Sequence, residues 1–314
     1  MVRLARLGCA VLAVALVVTS EAAADRTLQA PQEPRPTFHA GVARVTLNVV
    51  VRDGRERPIT GLKLADFQVF DEGQLVGISD FRPEDQPISI AIVIDTSGSM
   101  RLADRMARAR QAAQLLATGL RQGQDEIALF TFDLNLHERT PFSSDLAALT
   151  KELDRIAPFG STALHDAIAA TARRSVERPT GRRAVVAITD GIDTSSELTA
   201  SLASSIASSI DVPVYILGVD DSLESIEVAE VARPPGDWNG RLDYLARWSG
   251  GAFLPARTDL LVQRAIDQIS SDLRSGYIMA FAPRDLPGWH RISVKVSRSN
   301  AIIRTRGGFW VGQR

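Results

Sequence analysis

Two patterns of hydrophobic and polar positions alternate along the chain. Over residues 43–53, apolar Val45, Leu47, Val49 and Val51 alternate with Arg44, Thr46 and Asn48 and stop at the turn pair Asp53 and Gly54. A period of two is what a strand with one buried face requires. A second run at 67–70 meets Asp71, Glu72 and Gly73 and resumes at 75–81, which predicts a hairpin. After Pro83 and Pro87 the pattern changes: residues 88–94 are an unbroken apolar strand, and 102–120 carry Leu102, Met106, Ala109, Ala113 and Leu116 at helical spacing. Further strands are predicted at 126–132, 183–189, 212–219 and 252–254, and further helices at 145–156, 162–176, 197–210, 242–248 and 258–273. Continuous apolar strands between amphipathic helices predict an α/β domain over 85–273, a doubly wound, mostly parallel sheet flanked by helices. The end of the chain returns to alternation, with Tyr277, Met279 and Phe281, then Ile292, Val294 and Val296, then 302–305 and 309–311. Neither terminal segment, 38–84 or 274–314, carries enough core to be secure alone. The two are predicted to pack together as one small antiparallel, sandwich-like β subdomain.

The N-terminus changes the picture of where the protein works. Arg3 and Arg6 precede an apolar run over 7–18 and the small residues Ala22, Ala23 and Ala24. This predicts a secretory signal peptide over 1–24, and a flexible leader over 25–37 bearing Pro31, Pro34 and Pro36. The run is shorter than the roughly 20 residues a spanning helix needs, so an uncleaved anchor is the weaker reading and no stable membrane span is expected after cleavage. The expected destination is the periplasm or the extracellular space. Cys9 is the one cysteine and lies inside this segment, so the mature chain would have neither disulfides nor thiol chemistry. The formal net charge of −1 offers no basic surface for nucleic acid, which is not expected as a partner.

The candidate chemistry sits where the first α/β strand ends, in Asp95, Thr96, Ser97, Gly98, Ser99 and Met100. A carboxylate and two hydroxyls at i, i+2 and i+4 lie at the C-terminal edge of the sheet, where ligands bind in open α/β folds. Hard oxygens suit Mg²⁺ or Mn²⁺, and Gly98 is expected to let the backbone bend so that they converge. One carboxylate leaves a divalent ion under-neutralised; a second stands at Asp190, at the end of the strand 183–189, and a further oxygen is available from Gly160, Ser161 and Thr162. The alternative for the Ser and Asp pattern is an ordinary helix cap.

The stretches DTSGSM at 95–100, GSTALHDA at 160–167 and TDG at 189–191 resemble the metal-ion-dependent adhesion site of von Willebrand factor A domains. The resemblance implies a six-stranded, Rossmann-like sheet and one divalent ion, Mg²⁺ or else Mn²⁺ or Ca²⁺. Asp95, Ser97, Ser99, Thr162 and Asp190 would be its residues: the serines and the threonine as ligands, the aspartates acting largely through water. The vacant position would take an Asp or Glu carboxylate from a protein partner. GLKLADFQVFDEG before the domain, and YIMAFAP and RGGFW after it, are similar to a group of secreted bacterial proteins related to that family.

Other residues have plainer readings. His165 and Asp166 are expected as a helix-face residue and a first-turn acid rather than a catalytic pair. Asp193, Thr194 and Ser195 are expected to cap the next helix, with contact behind the metal residues as the lesser alternative, and His39, His137 and His290 to be surface or strand residues rather than zinc ligands. The loop 220–240 carries Asp220, Asp221, Glu224, Glu227 and Glu230; either one of these carboxylates fills the open metal position at rest or the loop is a solvated lid. A metal-dependent protein-binding module is the leading reading, with a structural envelope component as the alternative. A metal-dependent hydrolase is less favoured, because position 97 is Ser where a dehalogenase-type phosphatase has a second carboxylate, and no GxSxG, HExxH or GxxxxGK[ST] occurs.

Overall fold

The computed structural model describes residues 44–83, 86–178, 182–191, 193–220 and 242–312. The expected signal peptide and leader, and nearly all of the 220–240 loop, lie outside the described residues. The chain enters through β1 (Val45–Arg52), whose alternating Val45, Leu47, Val49 and Val51 are all buried. β2 (Phe67–Asp71) and β3 (Gln74–Val76) form a tight hairpin, but β4 (Ile78–Arg82) does not continue it. The run predicted as one strand over 75–81 divides at Gly77, and β4 pairs with a strand of the other sheet.

The α/β body holds β5 (Ile88–Asp95), α1 (Arg105–Thr118), β6 (Glu126–Phe132), β7 (Leu136–Ser143), α2 (Leu146–Arg155), α3 (Leu164–Val176) and β8 (Arg182–Thr189). It continues through α4 (Ala200–Ser209), β9 (Val214–Gly218), α5 (Leu242–Ser249), β10 (Phe253–Pro255) and α6 (Asp259–Ser275). The six strands lie in the order β10-β9-β8-β5-β6-β7 and are parallel except for β7. All eight positions of β5 are buried because its two faces feed different cores. Ile90, Ile92 and Ile94 pack with Met106 and Leu116 of α1 and Ile266 and Ile269 of α6. Ala91 and Val93 pack with Leu164 and Ile168 of α3 and with Ile206 of α4. β7 escaped the pattern because only Thr140 of its eight residues is buried, and Pro141 is tolerated in an edge strand. α1 starts later than predicted: residues 98–101 make a 3-10 turn, Leu102 is exposed, and Ala103 takes φ +46°.

The last strands are β11 (Tyr277–Phe281), β12 (Gly288–Val296), β13 (Ile302–Arg304) and β14 (Gly308–Val311). They mix with the first four in two sheets, β13-β1-β11-β4 and β14-β12-β2-β3. One core draws on both ends of the chain, with Leu47, Phe67 and Val69 against Tyr277, Phe281, Ile292 and Phe309. Buried ion pairs join this β subdomain to the body: Asp272 of α6 accepts from Arg52 of β1, Nε at 2.8 Å, and also from Arg304 of β13. Among the described residues no helix is long and apolar enough to cross a membrane.

Candidate metal centre

β5 and β8 are neighbours and end side by side, so Asp95 and Asp190 emerge together at the C-terminal edge of the sheet. Both carboxylates are fully buried. Asp95 is held by Thr189, whose hydroxyl donates to Oδ2 at 2.6 Å, and by the backbone N–H of Ser97, which donates to Oδ1 at 2.8 Å. Burial pushes the Asp95 carboxyl up to about 6; those hydrogen bonds oppose the shift and the adjacent Asp190 carboxylate reinforces it.

After Asp95 the chain turns through the 3-10 segment, anchored by Met100, which has no exposed surface. Ser97 occupies the N-cap position of that turn, yet its side chain makes no capping bond. Its hydroxyl lies instead 3.0 Å from the Ser99 hydroxyl. The ordinary-cap alternative therefore does not describe Ser97. The N–H of Gly98 donates to the Gly160 carbonyl at 3.0 Å, which draws the Thr162 loop against the serine loop. Glycine is demanded on the other side of that bond: Gly160 has φ +111°, and a Cβ there would stand 3.0 Å from the Cβ of Asp133, whereas Gly98 has an ordinary backbone and room for a side chain. The serine loop itself bends as a 3-10 turn with ordinary backbone at Gly98, so the conformational freedom expected of that glycine is not used.

Thr162 is buried, and its hydroxyl makes no hydrogen bond among the described residues. Its backbone is clamped by Thr194, whose hydroxyl accepts from Thr162 N–H at 3.2 Å and whose N–H donates to the Thr162 carbonyl at 2.9 Å. Asp193 accepts from the N–H of Leu164 at 3.1 Å and lies 2.8 Å from His165 Nδ1. Asp193 and Thr194 thus brace the start of α3 and do not cap α4, whose N-cap is Thr199. Asp166 accepts from the N–H groups of Glu197 and Leu198, both at 2.9 Å, and is occupied structurally. His290 is buried in β12, 2.7 Å from Asp71.

Sequence reasoning passed over Arg105, in the first turn of α1. Its Nη1 lies 3.1 Å from Asp190 Oδ2 and 3.2 Å from the Ser99 carbonyl, and its Nη2 lies 2.8 Å from Asp220. Only the i+10 spacing from Asp95 places it there, and no motif marks it. Asp190 Oδ1, in contrast, is buried without a hydrogen-bond partner among the described residues. A buried, unpartnered carboxylate oxygen carries a desolvation cost of about 1–3 kcal/mol or more for a charged group. A cation beside it would remove that cost. No three His, Cys, Asp or Glu side chains gather as a metal cluster among the described residues. Asp95 and Asp190 stand beside each other, the Ser97 and Ser99 hydroxyls are in contact in the loop that follows Asp95, and the Thr162 loop is joined to that loop through Gly98 and Gly160; oxygens of these kinds suit a hard divalent ion.

Residues 90–192 match the model of the von Willebrand factor type A domain. Over 110 residues, a third of its length, the chain is 33% identical to the calcium-activated chloride channel regulator 3A-1 of Mus musculus, of which it spans 12%. Among solved structures it is similar to the conserved hypothetical protein BatB from Bacteroides thetaiotaomicron, at 22% identity and a TM-score of 0.46, covering 59% of this chain and 98% of that one. It is also similar to a von Willebrand factor type A protein from Catenulispora acidiphila, at 14% identity and a TM-score of 0.48, covering 87% and 74%.

Proposed function

From the von Willebrand factor type A domain that this chain carries at residues 90–192, we propose that it is an exported protein-binding module whose grip depends on one divalent cation. Ser97, Ser99 and Thr162 would hold the ion with their hydroxyls, and Asp95 and Asp190 would balance its charge. Bound there, the ion would act as a bridge: Mg²⁺ favours octahedral oxygen ligands and retains exchangeable waters, one of which an Asp or Glu side chain of a partner protein replaces. Mn²⁺ and Ca²⁺ have related oxygen preferences.

The observation that carries this reading is the buried, partnerless Asp190 Oδ1 beside a second buried carboxylate and hydroxyls not used for capping. A hydrolase is disfavoured because the side chains around the centre are committed to structure: His165 to Asp193, and Asp166 to two backbone N–H groups. The test is calorimetric titration of Mg²⁺ and Mn²⁺ into metal-stripped protein, beside Asp95→Ala, with a glutamate-bearing peptide added afterwards. One-site binding that the variant loses while staying folded, and peptide binding only with metal, is the expected result. Failure of the native protein to bind either ion would overturn the reading; metal binding without any peptide effect would favour a structural ion.

A further inference from the structure

At the other end of the same sheet, a cavity of about 440 Å³ opens between the β subdomain and the α/β body. Arg183 is the second residue of β8 there, about 20 Å of strand away from Asp190 at ~3.3 Å per residue. The charged groups of its lining are Arg44, Arg82, Arg183 and Arg306 with Asp80 and Asp211, four guanidinium groups against two carboxylates. Their pairing leaves positive charge over. Asp80 is shared by Arg44 at 2.6 Å and Arg82 at 3.1 Å. Asp211 lies 3.6 Å from Arg306 Nε and is also taken up by Asn48, whose side-chain amide donates to it at 2.8 Å. Arg183 makes one side-chain hydrogen bond among the described residues, from Nε to the Arg178 carbonyl at 3.0 Å, and its two Nη groups are left over.

Arg306 is 3% exposed; its Nη groups donate to the carbonyls of Ser208, Ser209 and Thr46, while its Nε and the Ser209 hydroxyl are buried with no hydrogen-bond partner among the described residues. Burial pushes both Arg183 and Arg306 down from the ordinary arginine value, with Asp211 alone opposing it. An arginine stays charged in a protein, so buried guanidinium groups in excess of carboxylates need an anion from elsewhere. Arginine forks match phosphate and sulfate oxygens. The volume falls in the range of small-molecule sites and exceeds a bare ion. Phe309 and Trp310 on the same lining offer a surface to an organic group.

We propose that this cavity binds a small molecule carrying a phosphate or sulfate group, held by the Nη groups of Arg183 and the Nε of Arg306 from the buried side and by Arg82 and Arg44 at the rim. Such a ligand would tie β1, β4 and β14 to β8 and α4. The site is independent of the metal centre. Inorganic phosphate, sulfate and glucose 6-phosphate are each titrated by calorimetry into the full chain, metal-stripped and dialysed, against chloride at matched ionic strength. Saturable one-to-one binding that chloride does not reproduce is expected, with Arg183→Gln weakening it tenfold or more and the exposed Arg82→Gln severalfold; tighter binding of the sugar phosphate than of inorganic phosphate would identify an ester, and tighter sulfate a sulfo group. Heats no larger than those of chloride, or affinity unchanged in both variants, would overturn the proposal. Arg82→Gln keeps the test valid if Arg183→Gln fails to fold.

Discussion

Two sets of buried carboxylates in this molecule are treated in opposite ways. At the seam between the body and the β subdomain, Asp272 is gripped by Arg52 and Arg304, and within the body Asp125 is held by Arg274 and the N–H groups of Ile88 and Arg121. At the C-terminal edge of the sheet, Asp95 and Asp190 are equally buried, yet among the described residues Asp190 has one oxygen without a hydrogen-bond partner and Arg105 as its one ion-pair partner. Burial of charge therefore does not by itself distinguish the proposed metal site; the incomplete pairing of Asp190 does. A fully paired carboxylate holds elements of the fold together, and a half-paired one is where the proposed ion would gain most.

The largest effect should come from breaking the complete set. Asp272→Ala would leave two arginines facing a vacated acceptor, and removing one partner of a buried pair costs about 3–5 kcal/mol. Urea unfolding reads this directly, and a loss under 1 kcal/mol would mean the seam contributes little. Next comes the pH response of the metal-free protein. Because the Asp95 carboxyl is raised from 3.8 to about 6 by burial, the folded state binds its proton more tightly than the unfolded chain does. The stability this group contributes is full below pH 4 and is lost as pH rises through 6, by about 3 kcal/mol. The difference in unfolding free energy between native protein and Asp95→Asn should shift by that amount between pH 4 and pH 7, and a difference flat in pH would refute it.

A smaller effect is expected at Arg105. Its charge competes with any cation for Asp190, so Arg105→Gln should tighten Mn²⁺ binding about tenfold, equivalent to 1.4 kcal/mol. Weaker binding in that variant would instead make Arg105 a positioning residue for the loop. Smallest of all is the partly exposed pair of Arg178 and Glu126 at 2.6 Å. Exposed pairs contribute about 0–1 kcal/mol, so Arg178→Ala should shift the melting temperature by only a few degrees.

The strands and helices that bury both faces or one whole stripe were legible in the pattern, from β5 and β8 to α3 and α6, because their burial is periodic. The mixing of both chain ends in one β subdomain was legible from the poverty of each end's own core. β7 was not, since an edge strand with one buried residue has no period to detect. The proposed metal residues stood out as three short motifs at element boundaries, but their supports did not. Thr189, Asp193, Thr194 and Arg105 act through contacts 29 to 94 positions apart in the chain, and such pairings leave no local trace. The same holds for the arginine-lined cavity, whose residues come from six separate stretches of sequence.

The pairing of β1 with β11 and β13 has a temporal side. Val45 finds its partner in Phe281 and Val50 in Arg304, so β1 must wait for nearly the last strands before it can take its place in a sheet. Closing so long a loop through an unfolded chain is entropically costly and slow. A prefolded α/β body shortens it, because the body already brings residues 87 and 276 to its own boundary. During synthesis the central domain can therefore form alone, and the β subdomain closes last, around the finished body, as the chain's final act of folding.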